Sequence, residues 1–364
     1  MVGKQYSFPL CQEYGADMNA PGVVIGTSTA GKHEISASGY RSSLDLNIPL
    51  VMKQNTNFDL ASLTKIIATT SSLMALVEDG SLGVDDYVSK FLPAWKTSEK
   101  QAITLRHLLQ HRAGLWEWRP LYIPASDPDS AHALIATAPI RYGVDKARHY
   151  SDLGFITLGK VITTVTGKNL IESVDELVFS KLSLCSTQFA KAKDMDNVAT
   201  TSRGDRYEKA MVESKIPYPV VENSQDFGRW RTHILSGEIN DGNAFHLFGG
   251  ASSHAGLFSN AEDLLVYCDS LLNSQNFGYF TADGVDANFH LGFKSWVDTY
   301  GSCTVRFYGH TGFTGVALLV SPVHESAMTM LTSRLHTDME IMPTEELLIP
   351  QLKDFHAKLH VDPA

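Results

Sequence analysis

The segment Phe58–Lys65, FDLASLTK, carries the strongest indication of both fold and chemistry. Within it Ser62-Leu63-Thr64-Lys65 is an S-x-x-K tetrad, placed where an extended apolar stretch gives way to a helical pattern. At positions i and i+3 of a helix the Ser62 and Lys65 side chains share a face. A serine hydroxyl is a weak nucleophile and needs a base within reach. The tetrad therefore indicates a nucleophilic serine, although S-x-x-K also occurs in helices as a cap followed by a solvated lysine.

A second motif, Tyr150-Ser151-Asp152, stands at a predicted junction between a loop and a helix. A nearby lysine ammonium favours the phenolate form of a tyrosine, so Tyr150 is a candidate for the base that takes the Ser62 proton and returns it to the leaving group. The alternative is a simple helix start, with Ser151 or Asp152 as the N-cap.

The third motif, His310-Thr311-Gly312, lies in the run VRFYGHTGFTGVALLVSP, which predicts an edge strand, a glycine-rich turn and a buried strand. Glycine lets a backbone approach a ligand closely, and free N–H groups on an edge strand can bind an oxyanion or an extended substrate. Taken alone, the motif is typical of a turn.

In this order and spacing the three motifs resemble those of the penicillin-recognising serine hydrolases: the serine β-lactamases, the D,D-peptidases or penicillin-binding proteins, and related esterases and amidases. Y-S-D stands where class C-like members have Y-x-N, and H-T-G stands where many members have K-T-G. The segments 21–42, 105–115 and 248–267 resemble further parts of that family, so the resemblance covers most of the chain. The segment 237–250 more loosely resembles a subgroup that includes muropeptide-recycling amidases.

The resemblance implies covalent acyl transfer. Ser62 would attack a carbonyl, Lys65 and Tyr150 would share the role of base, and the backbone N–H groups of Ser62 and Phe313 would bind the oxyanion. Which of Lys65 and Tyr150 accepts the proton stays open, because the two titrate as a coupled pair. The remaining motif residues are expected to bind substrate: Asp152, His310, Thr311 and Gly312.

Two departures from the family pattern bear on the substrate. The K-T-G lysine helps to bind a substrate carboxylate in the family, whereas His310 is charged only in part near neutral pH. Asp152 adds an anion where the family has asparagine. Both changes favour a neutral ester or amide over an anionic substrate.

The organisation of the chain agrees with the fold that the resemblance implies. Strand patterns occur near both ends, and a helical period runs from residue 62 to about 185. We therefore predict an α+β, β-lactamase/transpeptidase-like fold, with an antiparallel sheet flanked by helices. Residues 1–61 and 246–364 would form the sheet region, 62–245 a helical insert, and the active site of this one catalytic domain would lie between them.

Composition excludes some classes of partner. The net charge of −10 over 364 residues, with no basic cluster, argues against nucleic acid. No segment has the apolar length of a membrane span, and no signal sequence is visible, so the prediction is a cytoplasmic protein without a membrane partner. The cysteines are scattered without ligand spacing and are expected to be reduced: Cys11, Cys185, Cys268 and Cys303.

Other residues allow a functional and a plainer interpretation. His107 and His111 lie at i and i+4, but the glutamate of a zinc protease motif is missing, so packing is favoured and no metal or cofactor is predicted. Glu117 could stand in for a deacylating carboxylate, yet a solvated loop acid is favoured. Several aromatic residues could plug the core or wall a substrate site: Trp116, Trp118, Tyr122, Trp230 and Phe245.

The favoured function is a serine hydrolase of small esters or amides. The first alternative is a peptidoglycan-related amidase or D,D-peptidase, or a β-lactamase, and the second is a non-catalytic relative used for binding or assembly. The substrate is expected to be a small molecule, and the oligomeric state is left open.

Overall fold

The strands of the molecule alternate apolar and polar residues or form short apolar runs, and they come from both ends of the chain. The computed structural model describes residues 20–360. Within them the strands are β1 (Gly22–Thr29), β2 (Lys32–Ser42), β3 (Leu50–Val51), β4 (Phe58–Asp59), β5 (Gln188–Phe189), β6 (Thr200–Arg203), β7 (Ile234–Ser236), β8 (Leu257–Ser259), β9 (Lys294–Tyr300), β10 (Cys303–Gly312), β11 (Val316–Ser321) and β12 (Ser326–Thr332).

The helices lie mainly between these two groups of strands. They are α1 (Ser71–Glu78), α2 (Val88–Phe91), α3 (Leu105–Leu109), α4 (Pro128–Thr137), α5 (Asp152–Thr166), α6 (Leu170–Val174), α7 (Ser180–Leu182), α8 (Arg206–Ser214), α9 (Gly242–His246), α10 (Ala261–Leu272), α11 (Gln275–Phe280) and α12 (Thr344–Leu359). Shorter π-helical or 3₁₀ segments are Lys65–Thr70, Pro93–Trp95, Asp175–Phe179, Ser224–Asp226 and Pro322–His324.

The central sheet has seven strands in the order β3-β2-β1-β12-β11-β10-β9. Its neighbouring strands are antiparallel. The first and last strands of the chain meet where β1 pairs with β12, with Val23 opposite Thr332. The predicted α+β class is thereby confirmed, with both termini contributing to one sheet. The boundaries predicted for the sheet region and the helical insert stay a prediction.

Side-chain alternation along the strands divides the core between the two faces of the sheet. Val24 points to the larger core, which packs against α10 and the helices of the middle of the chain. Val23 and Ile25 point to the other face, where the C-terminal helix α12 contributes Leu348 and Phe355. Helices therefore cover both faces of the sheet, and a cleft lies beside the end of β10.

The helix ends show where sequence patterns were sufficient. Gly167 closes α5 in the left-handed conformation with φ 69°, and Gly80 follows α1 with φ 76°, as expected for glycine C-caps. The pattern of segment 103–114 predicts a helix that closes on Gly114, but the helix ends at Leu109 and His111 has a φ of 56°. That prediction was wrong because the chain turns sharply at His111 to place its ring in the interior.

Candidate active site

Ser62 is held at the start of the first long helix by a turn built around Asp59. The two Asp59 carboxylate oxygens accept hydrogen bonds from the Ala61 and Asn240 N–H groups at 2.9 and 2.6 Å. Burial raises the pKa of Asp59 to about 6, and these two hydrogen bonds oppose that rise. Ala61 has a φ of 44°, in the left-handed region where a side chain is strained. Asp59 thus supports a tight turn that leads directly into Ser62.

Lys65 lies one helical turn further on and contacts Ser62 directly. Its Nζ donates to Ser62 Oγ at 2.9 Å and to the His254 carbonyl oxygen at 3.0 Å. A π-helical turn begins at Lys65 and widens the helix there. The lysine side chain is fully buried whereas Ser62 is partly exposed. The predicted proximity of the two residues is therefore present in the structure.

Asp152 provides the counter-charge for this buried lysine. Its Oδ1 lies 2.7 Å from Lys65 Nζ. Burial by itself would lower the pKa of Lys65, but the charges of Asp152 and Tyr150 more than compensate, so the pKa is raised above its usual value. Lys65 is consequently an ammonium group in the resting protein. Asp152 is not the free anion that the sequence suggested, because its charge is neutralised by Lys65.

Tyr150 lies over the same ammonium group, with its ring centroid 5.1 Å from Lys65 Nζ. Burial raises the pKa of Tyr150 and the Asp152 charge adds to the rise, while Lys65 and the Ser62 hydroxyl only partly offset it. Lys65 does favour the phenolate, as the sequence analysis expected, but its effect is too small to lower the pKa of Tyr150 in the resting protein. Burial and the neighbouring carboxylate outweigh the lysine.

The residues around Tyr150 fix its position at the head of α5. Ser151 is the N-cap, since its Oγ accepts from the Gly154 N–H at 3.2 Å. The Ser151 N–H donates to His111 Nδ1 at 2.9 Å, and the His111 ring packs 4.4 Å from the Tyr150 ring. The helix start and the packed histidine, both considered at first as plain alternatives, here hold Tyr150 against Lys65.

The third motif lies in a strand rather than a turn. His310, Thr311 and Gly312 end β10 and pair with β11, where Gly312 stands opposite Val316. On the other side β9 stops at Lys294, opposite Gly309. The predicted edge is thus correct for these last three residues alone, because β9 covers the rest of β10. The turn follows at 313–315.

His310 is a neutral residue in this setting. Its ring is buried, Nδ1 lies 2.7 Å from the Thr311 carbonyl oxygen, and within residues 20–360 no partner contacts Nε2. Burial lowers the pKa of His310 well below its usual value, and the charges of Lys294 and Lys65 lower it further. The partial positive charge expected from the sequence is therefore absent from this side chain.

A cation nevertheless reaches the motif from the neighbouring strand. Lys294 Nζ donates to Thr311 Oγ1 at 3.2 Å and to Glu345 Oε1 at 3.1 Å. Sequence analysis missed Lys294 because it considered each motif separately. The hairpin register was an available signal, since the turn at Gly301 pairs Tyr300 with Cys303 and so places Lys294 opposite Gly309.

The two residues whose backbone N–H groups are predicted to bind an oxyanion line the same cleft. Within residues 20–360 neither the Ser62 nor the Phe313 N–H has a hydrogen-bond acceptor. The Phe313 carbonyl oxygen accepts from the Arg334 guanidinium, which lies 5.2 Å from the Phe313 ring centroid. Arg334 therefore fixes the loop that carries the Phe313 N–H group.

The cleft has a volume of about 550 Å³ and lies beside the end of β10. Nearly all predicted site residues line it, and Lys65 is buried behind Ser62. Of the five aromatic residues considered, Trp118 lines the cleft, while Tyr122 packs in the core. The predicted residues in the lining are Ser62, Tyr150, Asp152, His310, Thr311, Gly312 and Phe313.

Other candidates from the sequence take structural positions. His107 caps α3 together with Thr104, and His111 packs under Tyr150, so the two do not face a common ligand. Glu117 is not the solvated acid that was favoured. It accepts hydrogen bonds from Arg141 at 2.9 Å and Tyr142 at 2.6 Å and does not line the cleft.

One wall of the cleft contains Asp152, Glu208 and Asp241, and His254 is buried next to them. Asp152, Asp241 and His254 have possible ligand atoms within 4.8 Å of one another. The Lys65 ammonium already neutralises Asp152, and Asp241 accepts from His254 Nε2 at 3.1 Å. Nearby, burial and then the Asp241 charge raise the pKa of Glu208 to about 8. The wall therefore offers hydrogen-bonding groups with little unpaired charge.

The remaining sequence predictions concern cysteines and membranes. Cys185, Cys268 and Cys303 are free thiols, as expected, and Cys11 lies outside the described residues. Within residues 20–360, every helix is too short or too polar to cross a bilayer.

Comparison with known proteins now identifies the class. The sequence profile of the family described as Beta-lactamase matches residues 10–350. This chain belongs to the β-lactamase family and is a serine hydrolase. The predicted resemblance and the β-lactamase/transpeptidase-like fold are both confirmed, and the non-catalytic alternative is not retained.

Two individual relatives and one solved structure show which members of the family the chain is similar to. The chain is 31% identical to "N-acetylmuramyl-L-alanine amidase" of Bacillus subtilis, with 87% of this chain and 78% of the relative covered. It is 28% identical to "Putative D-alanyl-D-alanine carboxypeptidase" of Escherichia coli, over 83% of this chain and 74% of the relative. A class C β-lactamase structure from Rhodobacter sphaeroides has a TM-score of 0.68 at 19% identity, covering 94% and 96% of the two chains, and this likeness concerns the fold.

Proposed function

We propose that this serine hydrolase cleaves small amides or esters through an acyl-enzyme on Ser62. The observation that carries the proposal is the 2.9 Å contact between Lys65 Nζ and Ser62 Oγ at the wall of the cleft. Asp152 and Tyr150 complete the arrangement around the lysine. A nucleophile hydrogen-bonded to a base, which a third group orients, is the arrangement required for covalent catalysis.

In the proposed reaction the Ser62 oxygen attacks the substrate carbonyl while its proton passes to Lys65 and Tyr150. The Ser62 and Phe313 N–H groups stabilise the oxyanion. Collapse of the intermediate breaks the carbonyl–nitrogen or carbonyl–oxygen bond, and the same pair of residues returns the proton to the leaving amine or alcohol. Water then attacks the acyl-enzyme and gives a proton to the pair, and collapse of this second intermediate breaks the carbonyl–Oγ bond, releases the carboxylic acid product and returns the proton from the pair to Ser62 Oγ.

The raised pKa values indicate the protonation state of the resting enzyme, and the form that reacts follows from it. Lys65 and Tyr150 both keep their protons in the resting state, the first as an ammonium and the second as a phenol. The pair must lose one proton before it can accept the one from Ser62. We therefore expect kcat/KM to rise with pH into the alkaline range, with an apparent pKa that belongs to the pair.

The substrate preference depends on which charges line the cleft. The sequence argument for a neutral substrate used His310 and Asp152. A neutral His310 supports it, but Asp152 no longer does, because Lys65 neutralises it. Lys294 places an ammonium group on Thr311, where a substrate carboxylate could bind, and this favours amide substrates that end in a carboxylate. The amidase relative supports an amide over an ester.

Active-site labelling tests the nucleophile. The purified protein is incubated with a fluorophosphonate or with a fluorescent penicillin, and the modified residue is found by mass spectrometry. We expect the fluorophosphonate on Ser62, with no labelling of Ser62→Ala and full labelling of Ser81→Ala, a control at an exposed serine. Label on another serine, or none on the wild-type protein, would refute an acyl-enzyme on Ser62.

Two charge variants test the substrate class separately. Lys294→Met should lower kcat/KM for an acyl-D-alanyl-D-alanine peptide about ten-fold or more, since one charged hydrogen bond is lost. Glu345→Gln should raise it, because Lys294 loses its competing partner. Hydrolysis of p-nitrophenyl butyrate, which is neutral, should change little in either variant. Equal changes for both substrates, or turnover of the ester alone, would instead favour the neutral-substrate hydrolase.

The cytoplasmic location stays a prediction.

A further inference from the structure

A group of metal-binding side chains lies at the other end of the β9–β10 hairpin, away from the cleft. Cys303 begins β10, whereas His356 lies in α12 and His360 caps its C-terminus. The Sγ of Cys303 and ring nitrogens of the two histidines all lie within 4.8 Å of one another. Thiolate and imidazole are the preferred ligands of zinc and related divalent ions.

His356 has the orientation of a metal ligand. Its ring is fully buried, and Nδ1 lies 2.7 Å from Asp298 Oδ2 on β9. An ionised carboxylate accepts hydrogen bonds, so the proton lies on Nδ1 and Nε2 presents a lone pair. Nε2 faces His360 Nε2 at 3.1 Å. A carboxylate that fixes the tautomer and orientation of a ligating histidine is the usual second layer of such sites.

The other two groups are brought to His356 by regular structure. His360 lies four residues further along the helical chain, and the i and i+4 positions of a helix share a face. The ring of His360 stacks on Tyr300 with a centroid distance of 5.8 Å and an interplanar angle of 12°. Cys303 stands directly opposite Tyr300 in the hairpin. Two elements that are distant in sequence thus converge on one point.

We propose that Cys303, His356 and His360 bind one divalent transition-metal ion, with Zn²⁺ as the expected class. Binding would remove the thiol proton of Cys303 and replace the hydrogen bond between the two histidines by two coordinate bonds. His360 is exposed, so the fourth position is open to water. The prediction of no metal rested on His107 and His111 and on the spacing of the cysteines, Cys303 among them, and it did not consider His356 and His360.

The proposed site would connect α12 to the β9–β10 hairpin. Contacts of α12 with this hairpin also bury Phe355 against Phe307, with ring centroids 6.3 Å apart. Metal binding would add a covalent-strength link at the C-terminal end of the helix. We therefore expect metal binding to raise the stability of the fold and not to affect catalysis, since Ser62 and the other proposed catalytic groups lie at the opposite end of the sheet edge.

Metal titration of the full chain tests the site. Chelated and desalted protein is titrated with Zn²⁺ and with Co²⁺, and bound metal is counted by elemental analysis. We expect about one ion per chain, a melting temperature that rises with metal concentration, and a thiolate-to-cobalt charge-transfer band in the near ultraviolet. Cys303→Ser should abolish that band, whereas Cys185→Ser, a control at an exposed cysteine, should keep it.

A further variant tests the role of Asp298. Asp298→Asn should weaken metal affinity about 10- to 100-fold, because the histidine loses its orienting carboxylate. Less than about one tenth of an ion per chain in the wild-type protein, or a cobalt band that survives in Cys303→Ser, would overturn the proposal. Circular dichroism of each variant confirms that lost binding does not reflect an unfolded chain.

Discussion

A buried histidine lies near each end of β10, and the two histidines have different hydrogen-bond partners. His310, at the cleft end, is buried with its Nδ1 near a carbonyl oxygen and, within residues 20–360, with no partner at Nε2. His356, which packs beside the other end, is buried with a carboxylate on Nδ1. Cys303 and His310 are seven residues apart, so roughly 23 Å of strand separates the two regions.

The difference shows that burial alone does not determine what a histidine can do. At the cleft, burial near two lysines lowers the pKa of His310 and leaves a neutral ring. At the distal cluster, formed by Cys303, His356 and His360, Asp298 determines which nitrogen of His356 carries the proton, so Nε2 presents its lone pair toward His360. At the cleft, the carboxylate of Asp152 instead pairs with Lys65. The two proposed sites, at opposite ends of one strand, would therefore have separate chemistry.

The largest expected effect is a loss of turnover that follows a change at the cleft and not a change at the distal cluster. Ser62→Ala should reduce turnover of an amide or ester at least a thousand-fold, because loss of a nucleophile removes the whole covalent route. Its melting temperature should stay within about 2 °C of the wild-type value, since one partly exposed hydroxyl is lost. Steady-state kinetics and calorimetry measure the two quantities. Cys303→Ser is the matched control, and it should keep its turnover.

A retained rate in Ser62→Ala would remove that serine from the mechanism. A comparable loss of turnover in Cys303→Ser would show that the two regions are coupled, and the comparison would then fail.

A smaller effect tests the carboxylate at the cleft. Asp152 raises the pKa of both Lys65 and Tyr150, so Asp152→Asn should lower both. The rise of kcat/KM with pH should then move to lower pH by about one to three units. Asp298→Asn, the same change at the distal cluster, should leave this profile in place. A profile that does not move in Asp152→Asn would show that Lys65 and Tyr150 do not set it.

How far the sequence predicted the site depended on the distance along the chain. The contact of Ser62 with Lys65 follows from the i, i+3 spacing of a helix, and the i, i+4 spacing likewise relates His356 to His360. Lys294 required the register of a hairpin, which the turn at Gly301 makes accessible. Such local rules need no knowledge of tertiary packing.

The remaining features depend on long-range packing and charge. Asp152 is adjacent to Tyr150 in sequence, yet its pairing with Lys65 appears only in the folded chain. The pKa of Tyr150 rises because burial outweighs the lysine, and burial cannot be judged from one motif. Cys303 meets His356 only because α12 returns to the hairpin. The fold class was predictable, whereas these charge states and the distal cluster were not.

The smallest expected effect concerns the distal cluster without metal. In the presence of a chelator, Asp298→Asn should lower the free energy of unfolding by about 1 kcal/mol, since the asparagine oxygen can still accept from His356 but without its charge. Urea unfolding measures this change, and Asp196→Asn at an exposed position is the control. Turnover should stay within about two-fold, because Asp298 stands opposite Val305, five residues or roughly 17 Å along β10 from His310 at the cleft. An unchanged unfolding midpoint would mean that Asp298 does not hold His356 in place before metal binds, and a large loss of turnover would mean that the hairpin transmits changes from one end to the other.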